Sequence, residues 1–182
     1  MRDDDLFTRL DSILQPLGAV SSLGEEFASP PLDVLRYHVR NVRLNAVPYF
    51  GRALSVVAVV RQPVELGFNV EETRRLVERT CMAVNGRFPP LNLRHGLSIG
   101  LTVVVLTPEP IGPEDEAVLE EALRVRPRLR AVPLGIVRLN LGQEGMAVAL
   151  ARGPDGLFNE PETLIEAFSE DFRRYVPLFE IE

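Results

Sequence analysis

The chain has 182 residues and a formal net charge of −6; 46% of its residues are hydrophobic and 25% are charged. This composition is typical of a globular protein, and it excludes a disordered chain, a collagen-like fibre and a disulfide-dense mini-protein. The length predicts a single domain with one sizeable core. The negative charge argues against a whole-surface polyanion binder, because phosphate contacts require an excess of positive charge.

The sequence contains no lysine, so all twenty basic residues are arginines. This absence excludes Schiff-base chemistry and the phosphate-binding lysines of nucleotide-dependent enzymes. The single cysteine, Cys81, cannot form an internal disulfide, which favours a reducing compartment. The start of the chain is acidic where a signal peptide would be basic, and the longest apolar run, 97–106, is about half the length of a membrane helix. We therefore expect a cytoplasmic protein with no membrane segment.

The first 33 residues are predicted to form a helix and a connecting arm. Leucine and isoleucine recur at spacings of three and four between Asp5 and Gln15, which indicates an amphipathic helix. The stretch from Ala19 to Asp33 has no periodicity and contains Gly24 and two consecutive prolines, which is typical of a loop. The expected organisation is an N-terminal helix with its arm, 1–33, followed by an α/β domain, 34–182.

The rest of the chain alternates between strand and helix patterns. Strands are predicted at 35–46, with a bulge near Arg40-Asn41, and at 53–60, 97–107, 134–141 and 146–151, the last two forming a hairpin. Helices are predicted from Asn69 to Gly86, from Gly112 to Arg126 and over 162–175. Parallel strands must be joined by right-handed crossovers, so we expect a mixed sheet of about five strands with helices on both faces. The order of the strands is left open.

From residue 53 onward, the element order is similar to that of the thioredoxin fold. In that family a cis proline stands just before the first strand of the closing hairpin and faces a Cys-x-x-Cys motif, and Val132-Pro133 matches the position of the proline. Residues 62–69 contain no cysteine. The resemblance therefore implies a similar fold and no thiol redox activity.

Three sets of residues are candidates for a functional site, and each leads to a different hypothesis. Two loops follow buried strands at the edge where open α/β sheets bind ligands, and they carry Glu65, Glu109, Glu114 and Asp115. These carboxylates predict a site for acid–base or metal chemistry, centred on Glu65 and Glu109. His95, expected at the opposite edge, is a further catalytic candidate. An arginine run predicts contacts with a phosphate backbone or an acidic protein surface. The C-terminal segment contains apolar residues beyond the last helix that either dock on the body or meet a partner. The residues of the last two sets are Arg124, Arg126, Arg128, Arg130, Leu178, Phe179 and Ile181.

No catalytic, cofactor or metal-binding motif is present at a diagnostic spacing. His38 alternates with Arg36 and Arg40, which predicts a solvated strand face rather than a metal ligand. The leading hypothesis is therefore a non-catalytic module that works through protein contacts, either as a homodimer or as an accessory subunit. The alternatives are an enzyme with a carboxylate site and a nucleic-acid binder that uses the arginine run.

Overall fold

A computed structural model describes residues 1–28, 31–43, 52–62, 67–88, 98–124, 130–151 and 158–174. These residues form four α-helices and seven strands, the last of only two residues. In chain order the elements are α1 (Asp3–Leu14), β1 (Val20–Ala28), β2 (Pro31–Arg43), β3 (Arg52–Arg61), α2 (Val70–Arg87), β4 (Ser98–Leu106), α3 (Asp115–Arg124), β5 (Ala131–Asn140), β6 (Gly145–Leu150), α4 (Glu160–Asp171) and β7 (Arg173–Arg174).

The strands lie side by side in the same order as in the chain. Strands β1, β2 and β3 form an antiparallel meander, and β3, β4 and β5 are parallel to one another through the crossover helices α2 and α3. Strand β6 returns antiparallel to β5 as the predicted hairpin, and β7 adds a short parallel edge. The carboxyl ends of β3, β4 and β5 therefore share one edge of the sheet, which is where we look for a site.

Two apolar layers cover the two faces of the sheet. Helices α2 and α3 pack on one face, and α1 and α4 pack on the other. Strand β3 shows why both faces are covered, because Val56 and Ala58 belong to the first core while Val57 and Val59 belong to the second. The predicted α/β class, with a mixed sheet between helices, is confirmed. None of the described helices is long and apolar enough to cross a membrane.

The prediction of a loop from Ala19 to Asp33 is wrong, because this stretch contains β1 and the start of β2. The two strands pair at register positions from Val20 opposite Val39 to Ala28 opposite Pro31. Pairing with a neighbouring strand creates β1, and a strand of this kind needs no hydrophobic periodicity of its own. The expected boundary between residues 33 and 34 falls inside β2.

The predicted bulge in β2 exists, but it lies at Leu35 rather than near Arg40-Asn41. The pairing with β3 shifts between Val34 and Arg36, which leaves Leu35 as the extra residue. On the other side of β2, Gly24 of β1 lies so close that a Cβ atom there would be 1.8 Å from the carbonyl oxygen of Val34. The bulge therefore requires a glycine in the neighbouring strand.

Gly24→Ala is expected to destabilise the protein, because the added methyl group collides with backbone that cannot move aside. We expect a loss of about 1–3 kcal/mol in the free energy of unfolding, measured by urea denaturation. Gly86→Ala is the matched control, since no atom lies within 4 Å of a Cβ at that helical position. The control is expected to gain about 0.5–1 kcal/mol. Equal effects at the two glycines would contradict the account of the bulge.

The thioredoxin-like arrangement is not confirmed. Strand β5 begins at Ala131, so Pro133 lies inside the strand and pairs with Leu101 of β4. The register shifts immediately after this pair, and Leu134 is left without a partner across the ladder. Because proline has no amide proton to donate, a bulge is a position where a strand tolerates it.

Candidate functional site

Side chains from four elements meet at the carboxyl ends of the parallel strands. Gln62 follows β3, Thr107 and Glu109 follow β4, Asp115 opens α3, and Arg138 lies near the end of β5. We call these five residues the Arg138 cluster. It lies at the edge of the sheet where the sequence predicts a carboxylate site, and it contains two of the predicted residues, Glu109 and Asp115, while Glu114 is exposed.

The Arg138 guanidinium is the centre of the cluster, and its side chain is only 1% exposed. Its Nη1 donates to Asp115 Oδ2, and its Nη2 donates to Glu109 Oε2 at 3.0 Å and to Thr107 Oγ1 at 3.3 Å. Gln62 Nε2 also donates to Glu109 Oε2, at 3.2 Å. Phe68 covers one face of the guanidinium, with the ring centroid 3.7 Å from Arg138 Cζ.

Burial has opposite effects on the two charges of the inner pair. It raises the pKa of the Asp115 carboxyl, and the adjacent Arg138 charge opposes that rise. Burial also lowers the pKa of Arg138, and Asp115 opposes that change. Because a guanidinium keeps its proton in proteins, the contact is an ion pair. Such a pair is costly to break, since either partner alone would be a buried and uncompensated charge.

The cluster has little room for a substrate. Residues of α2, β4, α3 and β5 and of the segments before α2 surround a cavity of about 20 Å³, lined in part by Phe68, Glu72 and Arg138. A space of this size holds roughly one water molecule. Within the described ranges, no three His, Cys, Asp or Glu side chains converge in a way that could hold a metal ion. The arrangement fixes three strand ends and a helix start relative to one another.

The remaining predicted site residues are dispersed. Arg124 is exposed at the end of α3 and pairs with Glu121 at 2.6 Å. Arg130 is partly buried, and its Nη2 donates to the carbonyl oxygens of Asn85 and Phe88 at the end of α2. The other candidates lie outside the described residues: Glu65, His95, Arg126, Arg128, Leu178, Phe179 and Ile181.

The prediction that His38 lies on a solvated face is wrong. His38 is 2% exposed, because β1 pairs with β2 on its outer side and α1 covers this face. Its Nδ1 lies 3.4 Å from Asp11 Oδ1, while Arg36 Nη1 donates to Asp11 Oδ2 at 3.1 Å. Burial lowers the pKa of His38 to about 4, and the Asp11 charge opposes this shift.

A second concave surface was missed because β1 was predicted as a loop. It is a groove of about 420 Å³ between the β1–β2 pair and α2, and we call it the β1–α2 groove. Apolar side chains of both walls face it together with three charged residues. It is lined by Glu25, Phe27, Leu32, Arg79, Met82, Ala83, Gly86 and Arg87.

Strand β1 is also an edge of the sheet. On its outer side, no strand among the described residues pairs with it. Two apolar side chains of this strand are largely exposed, Val20 at 71% and Leu23 at 78%. A further strand can pair with an edge of this kind, because its backbone amides and carbonyls are unpaired and apolar side chains lie exposed beside them.

No family model matches this chain, and no curated protein or solved structure is significantly similar to it. The protein is therefore described by its fold class and by the surfaces reported above. It is an α/β protein with a sequentially ordered mixed sheet, a closed ion cluster at the carboxyl ends of its parallel strands and an open edge at β1.

Proposed function

We propose that the protein is a non-catalytic interaction module that associates through the outer edge of β1. The observation that carries this proposal is the unpaired edge with its exposed Val20 and Leu23. Edge strands are usually protected by charged side chains, proline, bulges or shortness. Strand β1 is nine residues long and contains no proline, and its two charges, Glu25 and Glu26, lie in its second half, which leaves the first half uncharged.

The partner that suits this edge is a second copy of the chain in antiparallel register. Two serines occupy the first half of β1, and Glu25 and Glu26 occupy the second half. Side chains alternate between the two faces of a strand, so a two-fold axis normal to the sheet must pass beside a residue that pairs with its own copy. An axis at Leu23 places Leu23 opposite Leu23 and Ser21 opposite Glu25 of the other copy. Parallel pairing in register would instead place like charges opposite each other, which is unfavourable. Two-fold symmetry is also the commonest arrangement of a homodimer.

This register predicts opposite effects for two substitutions at the exposed Ser21. Ser21→Glu places two glutamates opposite each other, and Ser21→Arg places an arginine opposite a glutamate. Each cross-strand pair contributes roughly 0.2–1 kcal/mol and occurs twice across the axis, so we expect a shift in the dimer Kd of roughly 2- to 30-fold. Sedimentation velocity over a concentration series should show weaker association for Ser21→Glu and tighter association for Ser21→Arg.

The matched control uses the exposed Ser169 of α4, replaced by the same two residues. Both control variants change the net charge without changing β1, so we expect their association to equal that of the original protein. A protein that stays monomeric at every concentration would overturn the proposal. Equal effects at Ser21 and Ser169 would overturn the β1 interface.

The contacts at the Arg138 cluster argue against a catalytic site at this edge of the sheet. The predicted acid Glu109 is a partner of Arg138, and the enclosed space beside the cluster has a volume of about 20 Å³. Such a space is more than ten times smaller than a usual small-molecule site. The proposal also retains a cytoplasmic location, which a single buried cysteine supports.

A further inference from the structure

We propose that the β1–α2 groove binds a small monoanionic carboxylate with an apolar body, of the chemical class of a medium-chain fatty acid. This inference rests on the groove itself and does not depend on association through β1. Three features of the groove carry it: its size, its apolar walls and the charge of its rim.

The size and the walls of the groove suit a small apolar molecule. Its volume of about 420 Å³ falls within the range of about 300–1,000 Å³ that ligand sites occupy. Phe27 and Leu32 line the strand side, while Met82 and Ala83 line the helix side. Met82 is an exposed methionine, and its flexible side chain adapts to the shape of an alkyl chain.

The rim of the groove has an excess of one positive charge. Arg79 and Arg87 lie two turns apart on α2, and Glu25 of β1 is the only acidic residue among the described residues that line the groove. Arg87 Nε lies 3.9 Å from Glu25 Oε1, which is longer than a hydrogen bond. Arg79 Nη1 donates to the Pro31 carbonyl oxygen at 3.4 Å. A guanidinium matches a carboxylate in shape and donors, so one carboxylate balances the charge of this rim.

Tyr37 packs in the core behind the groove and is not one of the residues that line it. Tyr37 is fully buried, and its hydroxyl has no hydrogen-bond partner among the described residues. It is close enough to Glu25 and Arg87 for both charges to act on it. Burial and the Glu25 charge raise the pKa of Tyr37 to about 12, so the hydroxyl keeps its proton and can donate it in a hydrogen bond. A buried hydroxyl without a partner is rare, but this one does not open onto the groove and is not part of the proposed contacts.

Gly86 keeps the groove open on the helix side. No atom lies within 4 Å of the position that a Cβ would take there. A glycine inside a helix lowers the stability of the protein relative to alanine. We attribute the glycine at this position to the open space that it leaves in the groove. A large side chain at this position would fill the groove without entering the core.

The experiment measures octanoate binding to the full chain by isothermal titration calorimetry. The comparison compound is 1-octanol, an uncharged analogue of the same chain length. We expect octanoate to bind and 1-octanol to bind at least 10-fold more weakly, because only the carboxylate pairs with arginine. Arg87→Gln is expected to weaken octanoate binding by roughly 10- to 100-fold. Gly86→Phe is expected to abolish it, while Gly86→Ala, which leaves the groove open, preserves it. Arg124→Gln is the control for the loss of one exposed arginine and should leave binding unchanged.

Three results would overturn the inference. Equal binding of octanoate and 1-octanol would show a nonspecific apolar surface, and retained binding in Gly86→Phe would place the ligand elsewhere. Equal losses in Arg87→Gln and Arg124→Gln would show a general charge effect. Thermal unfolding of each variant verifies that it is folded. The Ser21 variants leave the groove intact, so octanoate binding and self-association succeed or fail separately.

Discussion

Replacing Arg138 with methionine is expected to lower the free energy of unfolding by about 3–5 kcal/mol, measured by urea denaturation. The side chain is 1% exposed, and it is hydrogen-bonded to Asp115, Glu109 and Thr107. Methionine fills much of the same volume but leaves the Asp115 carboxylate buried without a counter-ion. The cost is therefore that of an uncompensated charge rather than of a cavity.

A second substitution tests this explanation. Arg138→Met combined with Asp115→Asn removes both charges, so the double variant is expected to recover part of the lost stability. Arg124→Met is the surface control, because Arg124 is 71% exposed in its pair with Glu121. An exposed pair of this kind contributes roughly 0.2–1 kcal/mol. Similar losses at Arg138 and Arg124 would contradict the role given to the buried ion pair.

Elements with a strong pattern of their own could be predicted from the sequence. Strand β3 is apolar on both parities, and the structure covers both of its faces. The start of α2 was identified from its cap, and Asn69 Oδ1 does accept from the Glu72 amide at 2.9 Å. These features depend on a few neighbouring residues, so a single sequence is enough to reveal them.

Strand β1 and the β1–α2 groove could not be predicted in the same way. Pairing with β2 defines the strand, and Gly24 looks like a loop residue until the backbone of Val34 is placed beside it. The groove then depends on where β1 lies relative to α2. Both are consequences of contacts between distant residues, which no local pattern records.

The Arg138 cluster was predicted in part. The position of Glu109 followed from the rule that parallel strands end at one edge, and this rule held. The missed signal was Arg138 itself, a single arginine within the apolar strand β5. A charge in a buried strand needs a buried counter-ion, so Asp115 could have been recognised from the sequence as the partner of Arg138. His38 was missed for a related reason, since its neighbour Asp11 lies on a different element.

His38 is expected to make the protein less stable as the pH falls from 6.5 towards 4. Its pKa is about 4 in the folded protein and about 6.5 in the unfolded chain, so in this interval the unfolded chain binds one more proton. The free energy of unfolding therefore falls by about 1.4 kcal/mol per pH unit, or by about 3 kcal/mol in total. Above pH 6.5 the histidine is neutral in both states and contributes no slope.

The measurement compares urea denaturation of the original protein and of His38→Gln between pH 7.5 and about 4. Carboxylates titrate in both proteins, so the test is the difference between the two curves. This difference should change by about 1.4 kcal/mol per unit below pH 6.5 and stay constant above it. Parallel curves for His38→Gln would mean that the folded protein admits a charge at this position. That result is incompatible with an imidazole sealed between β1, β2 and α1.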